Sequence, residues 1–96
     1  MYDIGKVLER EYAQVFVRYK NTKKGSSTTE MFVRTDGVER KLMEEAFEVT
    51  LASTKNEGTK RQVSELADLM YAAVAYMVQN KITLEELAQE MAKRQK

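Results

Sequence analysis

Lys41-Leu42-Met43-Glu44-Glu45-Ala46-Phe47-Glu48 and, beyond a turn around Gly58, Arg61-Gln62-Val63-Ser64-Glu65-Leu66-Ala67-Asp68 decide the fold of this chain. Each stretch carries an acidic pair at i, i+3: Glu45 with Glu48, and Glu65 with Asp68. Residues at that spacing share one face of an α-helix. A cation, Lys41 or Arg61, precedes the first acid of each pair by four residues. An alanine, Ala52 or Ala72, follows the second acid by four. The two stretches align at a constant offset and predict two helices that turn the same kind of face to a common centre.

Helix geometry places the pairs at one level. With the first helix rising to Asn56 and the second leaving from Thr59, the pairs lie ~14 Å and ~11 Å from the turn. In an antiparallel helical hairpin they face each other within about one turn. Four carboxylates at one level repel unless a cation joins them. The ligand set is all oxygen, and the chain has no His and no Cys. That favours Mg²⁺ or Mn²⁺ over Zn²⁺.

Length and composition bound the rest. The 96 residues suit one small domain, and 43% hydrophobic with 32% charged residues suits a soluble globular one. A net charge of +1 gives no basic field for nucleic acid. There is no apolar run long enough to span a membrane. The start, Met1-Tyr2-Asp3-Ile4-Gly5, lacks the regions of a signal peptide. The absence of cysteine fits a reducing compartment, and the expected location is cytoplasmic.

Outside the hairpin, Ile4, Val7, Leu8, Tyr12, Val15, Phe16 and Tyr19 recur at helical spacing and predict a helix over 4–20, capped by Asp3. The polar run Asn21 to Thr29 reads as an exposed loop, with Lys23 and Lys24 either solvated or serving a phosphate-binding arm. Met31, Phe32 and Val33 are expected to fold back onto the bundle. Asp36 with Glu39, and Thr59 with Gln62, have capping-box spacing. Gly58 suits the left-handed position after the first hairpin helix, and Asn80 the same place after the second. Val63, Leu66, Ala67, Leu69, Met70, Ala73, Val74, Tyr76, Met77 and Val78 make that second helix apolar all round, hence buried all round. So short a chain cannot cover it, which implies a homodimer or higher homo-oligomer. Thr83 with Glu86 form a capping box, and Ile82 with Leu87 a hydrophobic staple, for a short last helix. The fold class is all-α: a bundle of four helices around an acidic hairpin, completed by a second copy.

Glu44-Glu45-x-x-Glu48 followed by Glu65-x-x-Asp68 resembles the signature of the all-α nucleotide pyrophosphohydrolases. Within that group the chain looks most like the phosphoribosyl-ATP pyrophosphatase family of histidine biosynthesis. The stretches that carry the likeness are Gly25-Ser26-Ser27-Thr28, Lys41 to Val49, Ala67-Asp68-Leu69-Met70-Tyr71 and Ile82 to Leu87. Met43, Ser64 and Ala72 depart from the family, which usually has Gly, an acid and His at those places. The resemblance implies hydrolysis of the α–β phosphoanhydride of phosphoribosyl-ATP to phosphoribosyl-AMP and pyrophosphate. The expected partner is thus a phosphorylated nucleotide.

Glu45, Glu48, Glu65 and Asp68 are the expected metal ligands, and Glu44 the group that orients or deprotonates water. Lys41 and Arg61, then Arg34, Arg40 and Lys60, are the expected phosphate clamps. Lys41–Glu45 and Arg61–Glu65 also have the spacing of ordinary helical salt pairs. Tyr12, Phe16, Phe47 and Tyr71 read as core residues, with Tyr71 or Tyr76 alternatively lining a nucleotide pocket. Two other functions stand beside the first: a (deoxy)nucleoside triphosphate pyrophosphatase on the same scaffold, and a helical interaction module without catalysis.

Overall fold

The computed structural model describes residues 1–22 and 27–95. It comprises α1 (Ile4–Lys20), α2 (Ser27–Val33), α3 (Gly37–Thr54), α4 (Thr59–Gln79) and α5 (Leu84–Arg94), with no strand among the described residues. No described helix is long and apolar enough to cross a membrane.

Among the described residues the bundle has five helices, one more than the four expected. The additional one is α2, seven residues in the stretch expected to be loop. Thr28, Thr29 and Met31 are buried there. Burial against α1 and α3 holds this helix, since a single isolated turn or two has no stability of its own. Lys23 and Lys24 lie outside the described residues.

α1 has the predicted bounds, and the Asp3 carboxylate accepts from the amides of Gly5 and Lys6 at 2.8 and 3.2 Å. The other caps redistribute. Asp36 sits in the left-handed region at φ 55° and its side chain caps nothing. Its expected partner Glu39 instead accepts from Gln79 Nε2 at 2.8 Å, tying the start of α3 to the end of α4. Asn56, at φ 52°, takes the left-handed position expected of Gly58. The amides of Asn56 and Glu57 bond back to the carbonyls of Ser53 and Ala52, the Schellman pattern. Gly58 itself precedes α4 as its N-cap, so the Thr59–Gln62 box does not form. Lys81 rather than Asn80 is left-handed after α4, at φ 59°. The Thr83–Glu86 box forms in full, with bonds of 2.9 and 3.0 Å.

α3 and α4 form the antiparallel hairpin, α1 packs on α4, and α2 bridges α1 and α3. The core is Val15, Met31, Val38, Val74, Ala75 and Val78, with Leu8, Tyr12, Tyr19, Phe32 and Tyr71 against it. Burying each valine contributes about 1.5–3 kcal/mol. Ala52 and Ala72 are fully buried. Phe16 and Phe47, expected in the core, are exposed. So are Val63, Leu66 and Met70 on α4: within one chain that helix is buried on one side only. No residue of α5 is buried.

Candidate active site

α3 delivers Glu45 and α4 delivers Glu65 and Asp68 to one place. Carboxylate oxygens of these three residues lie within 4.8 Å of one another. Glu45 and Glu65 are buried, at 8% and 4% exposure, and Asp68 opens to solvent. Glu48, one turn beyond Glu45, is half-buried and stands outside this group.

Buried carboxylates require compensation. Lys41 Nζ lies 3.2 Å from Glu45, and Arg61 lies 2.8 Å from Glu65 and 3.8 Å from Glu57. The hydrogen bond to Glu45 holds the Lys41 ammonium above its ordinary range, and the charges of Glu45, Glu44 and Asp68 reinforce it. Two cations thus face three carboxylates in the cluster, and both cations are about half exposed. The excess negative charge and the all-oxygen donor set suit a hard divalent cation. The residues present therefore fit a metal ion.

Beside this cluster, a cavity of about 290 Å³ opens between α2, α3 and α4. Arg34, Arg40, Lys41 and Glu44 line it, with Thr28, Glu30, Met31, Gly37 and Tyr71. Four of the residues expected to act on phosphate or water therefore share one wall system. Three cations in one concavity suit an anion with several charged oxygens. Arg61 belongs to the carboxylate cluster, and Lys60 is exposed in the first turn of α4 and lines neither cavity described here.

Tyr71 packs on the core as expected, its hydroxyl bonds Thr28, and it lines this cavity. Tyr76 lines no described cavity. Thr28 and Gly37 were missed. Thr28 looked like loop because α2 is too short to show a period. Gly37 follows the expected helix start at Asp36 and drew no reading of its own, yet a β-carbon there would run into the Met31 carbonyl. It lets α2 close against α3 at the cavity wall.

A second cavity, of about 380 Å³, lies on the other side of Tyr71, between α1 and α4. Arg10, Glu11, Gln14 and Arg18 of α1 face Ala67, Asp68 and Tyr71 across it. Nothing in the spacing of α1 distinguished these from a solvated helix face.

The profile of the phosphoribosyl-ATP pyrophosphohydrolase family matches residues 9–95. A phosphoribosyl-ATP pyrophosphatase of Limosilactobacillus fermentum is 37% identical, over 92% of this chain and 83% of that protein. One of Methanocella arvoryzae is 36% identical over 94% of this chain and 97% of its own length. One of Metallosphaera sedula is 37% identical over the same shares, 94% and 97%.

Proposed function

The chain belongs to the phosphoribosyl-ATP pyrophosphohydrolase family, and from that premise we propose that it hydrolyses phosphoribosyl-ATP to phosphoribosyl-AMP and pyrophosphate. The observation that carries this reading is the convergence of Glu45, Glu65 and Asp68 beside a cavity lined by Arg34, Arg40, Lys41 and Glu44.

Glu45, Glu65 and Asp68 would hold the metal, with Glu48 available one turn along α3. Mg²⁺ is the preferred ion and Mn²⁺ the substitute. When bound, the ion supplies charge neutralisation for the phosphate oxygens. The side chains do the rest. Lys41, Arg34 and Arg40 bind the polyphosphate and orient it towards Glu44. Glu44 takes a proton from water as the water oxygen bonds to the α-phosphorus. The anhydride bond to the bridging oxygen breaks, and pyrophosphate leaves with that oxygen. Arg61 and Lys60 serve the outgoing or incoming phosphate from the start of α4.

The functional unit is a homodimer or higher homo-oligomer. Val63, Leu66 and Met70 recur at helical spacing on α4, and Met43 and Phe47 on α3, all of them exposed in one chain. Apolar stripes of this kind mark interaction surfaces.

Pyrophosphate release from phosphoribosyl-ATP, measured with and without Mg²⁺ beside a panel of nucleoside triphosphates, tests the proposal. Mg²⁺-dependent turnover with preference for phosphoribosyl-ATP is expected. Preference for ordinary triphosphates would assign the scaffold to nucleotide housecleaning instead.

A further inference from the structure

Phosphoribosyl-ATP differs from ATP by one ribose phosphate. The cavity lined by Arg34, Arg40 and Lys41 is assigned to the polyphosphate, so recognition of the additional group requires another surface within reach of the metal centre.

We propose that the cavity between α1 and α4 is a sugar-phosphate subsite that takes the phosphoribosyl arm. The proposal rests on the assigned substrate class and deepens it. Three observations carry it. First, the cavity adjoins the reaction centre through two shared residues: Asp68 belongs to the carboxylate cluster, and Tyr71 walls both cavities. A ligand held at the carboxylates therefore has two ways to extend, one on each side of Tyr71. Second, the linings differ in chemistry. The α3 side sets Arg34, Arg40 and Lys41 against Glu30 and Glu44, a cationic excess of one that suits the more highly charged polyphosphate. The α1 side balances Arg10 and Arg18 with the carboxylates of Glu11 and Asp68, beside the amide of Gln14. A carboxylate accepts hydrogen bonds from sugar hydroxyls, an amide both donates and accepts, and guanidinium groups take a single phosphate. That set matches a hydroxylated ring with one phosphate. Third, the guanidinium groups are uncommitted: neither Arg10 nor Arg18 makes an ion pair among the described residues. Arg10, Gln14 and Arg18 recur every four residues, so they lie along one stripe of α1. The two arginines start ~12 Å apart on the helix, and both side chains are long enough to close on one phosphate.

The experiment compares wild type with Arg10→Ala and Arg18→Ala, using phosphoribosyl-ATP and ATP as substrates. A direct titration with ribose 5-phosphate is followed by NMR. Both positions are exposed, and melting curves report whether the fold persists. Loss of a charge-assisted contact should raise KM for phosphoribosyl-ATP about 10- to 100-fold, so the preference over ATP falls by that factor while kcat changes little. Ribose 5-phosphate binding should weaken in parallel, and Arg18→Lys should recover part of it. An equal loss on both substrates would overturn the assignment, because the cavity would then serve the shared triphosphate. Unchanged preference in both variants would overturn it as well. If wild type does not turn over phosphoribosyl-ATP, the substrate reading fails, and the titration alone decides the subsite. Saturable ribose 5-phosphate binding that the variants lose upholds it, and no binding ends it.

Discussion

The guanidinium of Arg61 lies 2.8 Å from the carboxylate of Glu65, with the arginine side chain 55% exposed and the glutamate only 5%. Arg61 is thus the solvent-side partner of a buried acid. Lys41 stands in the same relation to Glu45. The two pairs hold the acids on the hairpin seam, and a metal ion would compete with the cations for the same oxygens.

That competition predicts the behaviour of Arg61→Gln. Without divalent cation, the variant leaves Glu65 poorly compensated and should lose about 1 kcal/mol, a modest value because the arginine is largely solvated. With saturating Mg²⁺ the deficit should shrink. Denaturant titrations with and without Mg²⁺ measure both, and an identical deficit in the two conditions would contradict a shared site.

Metal binding should itself stabilise the native chain. At a hundredfold excess over Kd the gain is about 2.7 kcal/mol, or a Tm rise of roughly 10 °C or more for a domain of this size. Glu45→Gln should remove most of that rise and lower kcat about 10²-fold or more. Normal turnover in Glu45→Gln would refute its assignment as a ligand.

Gly37→Ala tests the α2–α3 junction. The added β-carbon meets the Met31 carbonyl, which is backbone and cannot swing aside. Overpacking of this kind costs about 1–3 kcal/mol. The same shift displaces α2 from the cavity wall, so KM should rise together with the loss of Tm. An unchanged Tm would mean that α2 moves freely.

The exposed stripe on α4 predicts the assembly. Leu66→Glu places a charge among Val63, Leu66 and Met70, all exposed in one chain. Sedimentation should show a homo-oligomer for wild type and monomer for the variant. Wild type that is monomeric at every concentration would leave the stripe without the assigned role.

Glu86 supplies a pH-dependent check on α5. The Thr83 amide, with the Thr83 hydroxyl, holds the Glu86 carboxyl below its usual range. A depressed carboxylate contributes stability above its unfolded value, about 4.3, and that contribution disappears as pH falls through the lower folded value. The Glu86 carboxyl should therefore titrate by NMR below a free glutamate, and Thr83→Ala should move it up. A midpoint at the free value would mean that the box opens in solution.

Local pattern made much of this legible. The period of Ile4 to Tyr19 gave α1 its bounds, and the Thr83–Glu86 spacing gave α5 its start, because both depend on neighbours within one or two turns. The matched acidic stretches gave the hairpin for the same reason. Where several residues competed for a backbone role, spacing could not choose. Asn56 took the left-handed position that Gly58 was equally able to fill, and Glu39 left its capping role for Gln79, forty residues away.

The chain's own order of residues determined that Glu45, Glu65 and Asp68 would sit on facing helices near one level, since rise and rotation per residue are fixed for any α-helix. Tertiary structure alone decided that these three meet while Glu48 stands apart, that seven residues coil into α2, and that Arg10 and Arg18 line one cavity with Asp68. Those outcomes depend on how far each helix turns about its axis and where it crosses its neighbours. Packing within the core cluster of Val15, Met31, Val38, Val74, Ala75 and Val78 sets those angles, and such contacts join residues that no local spacing relates.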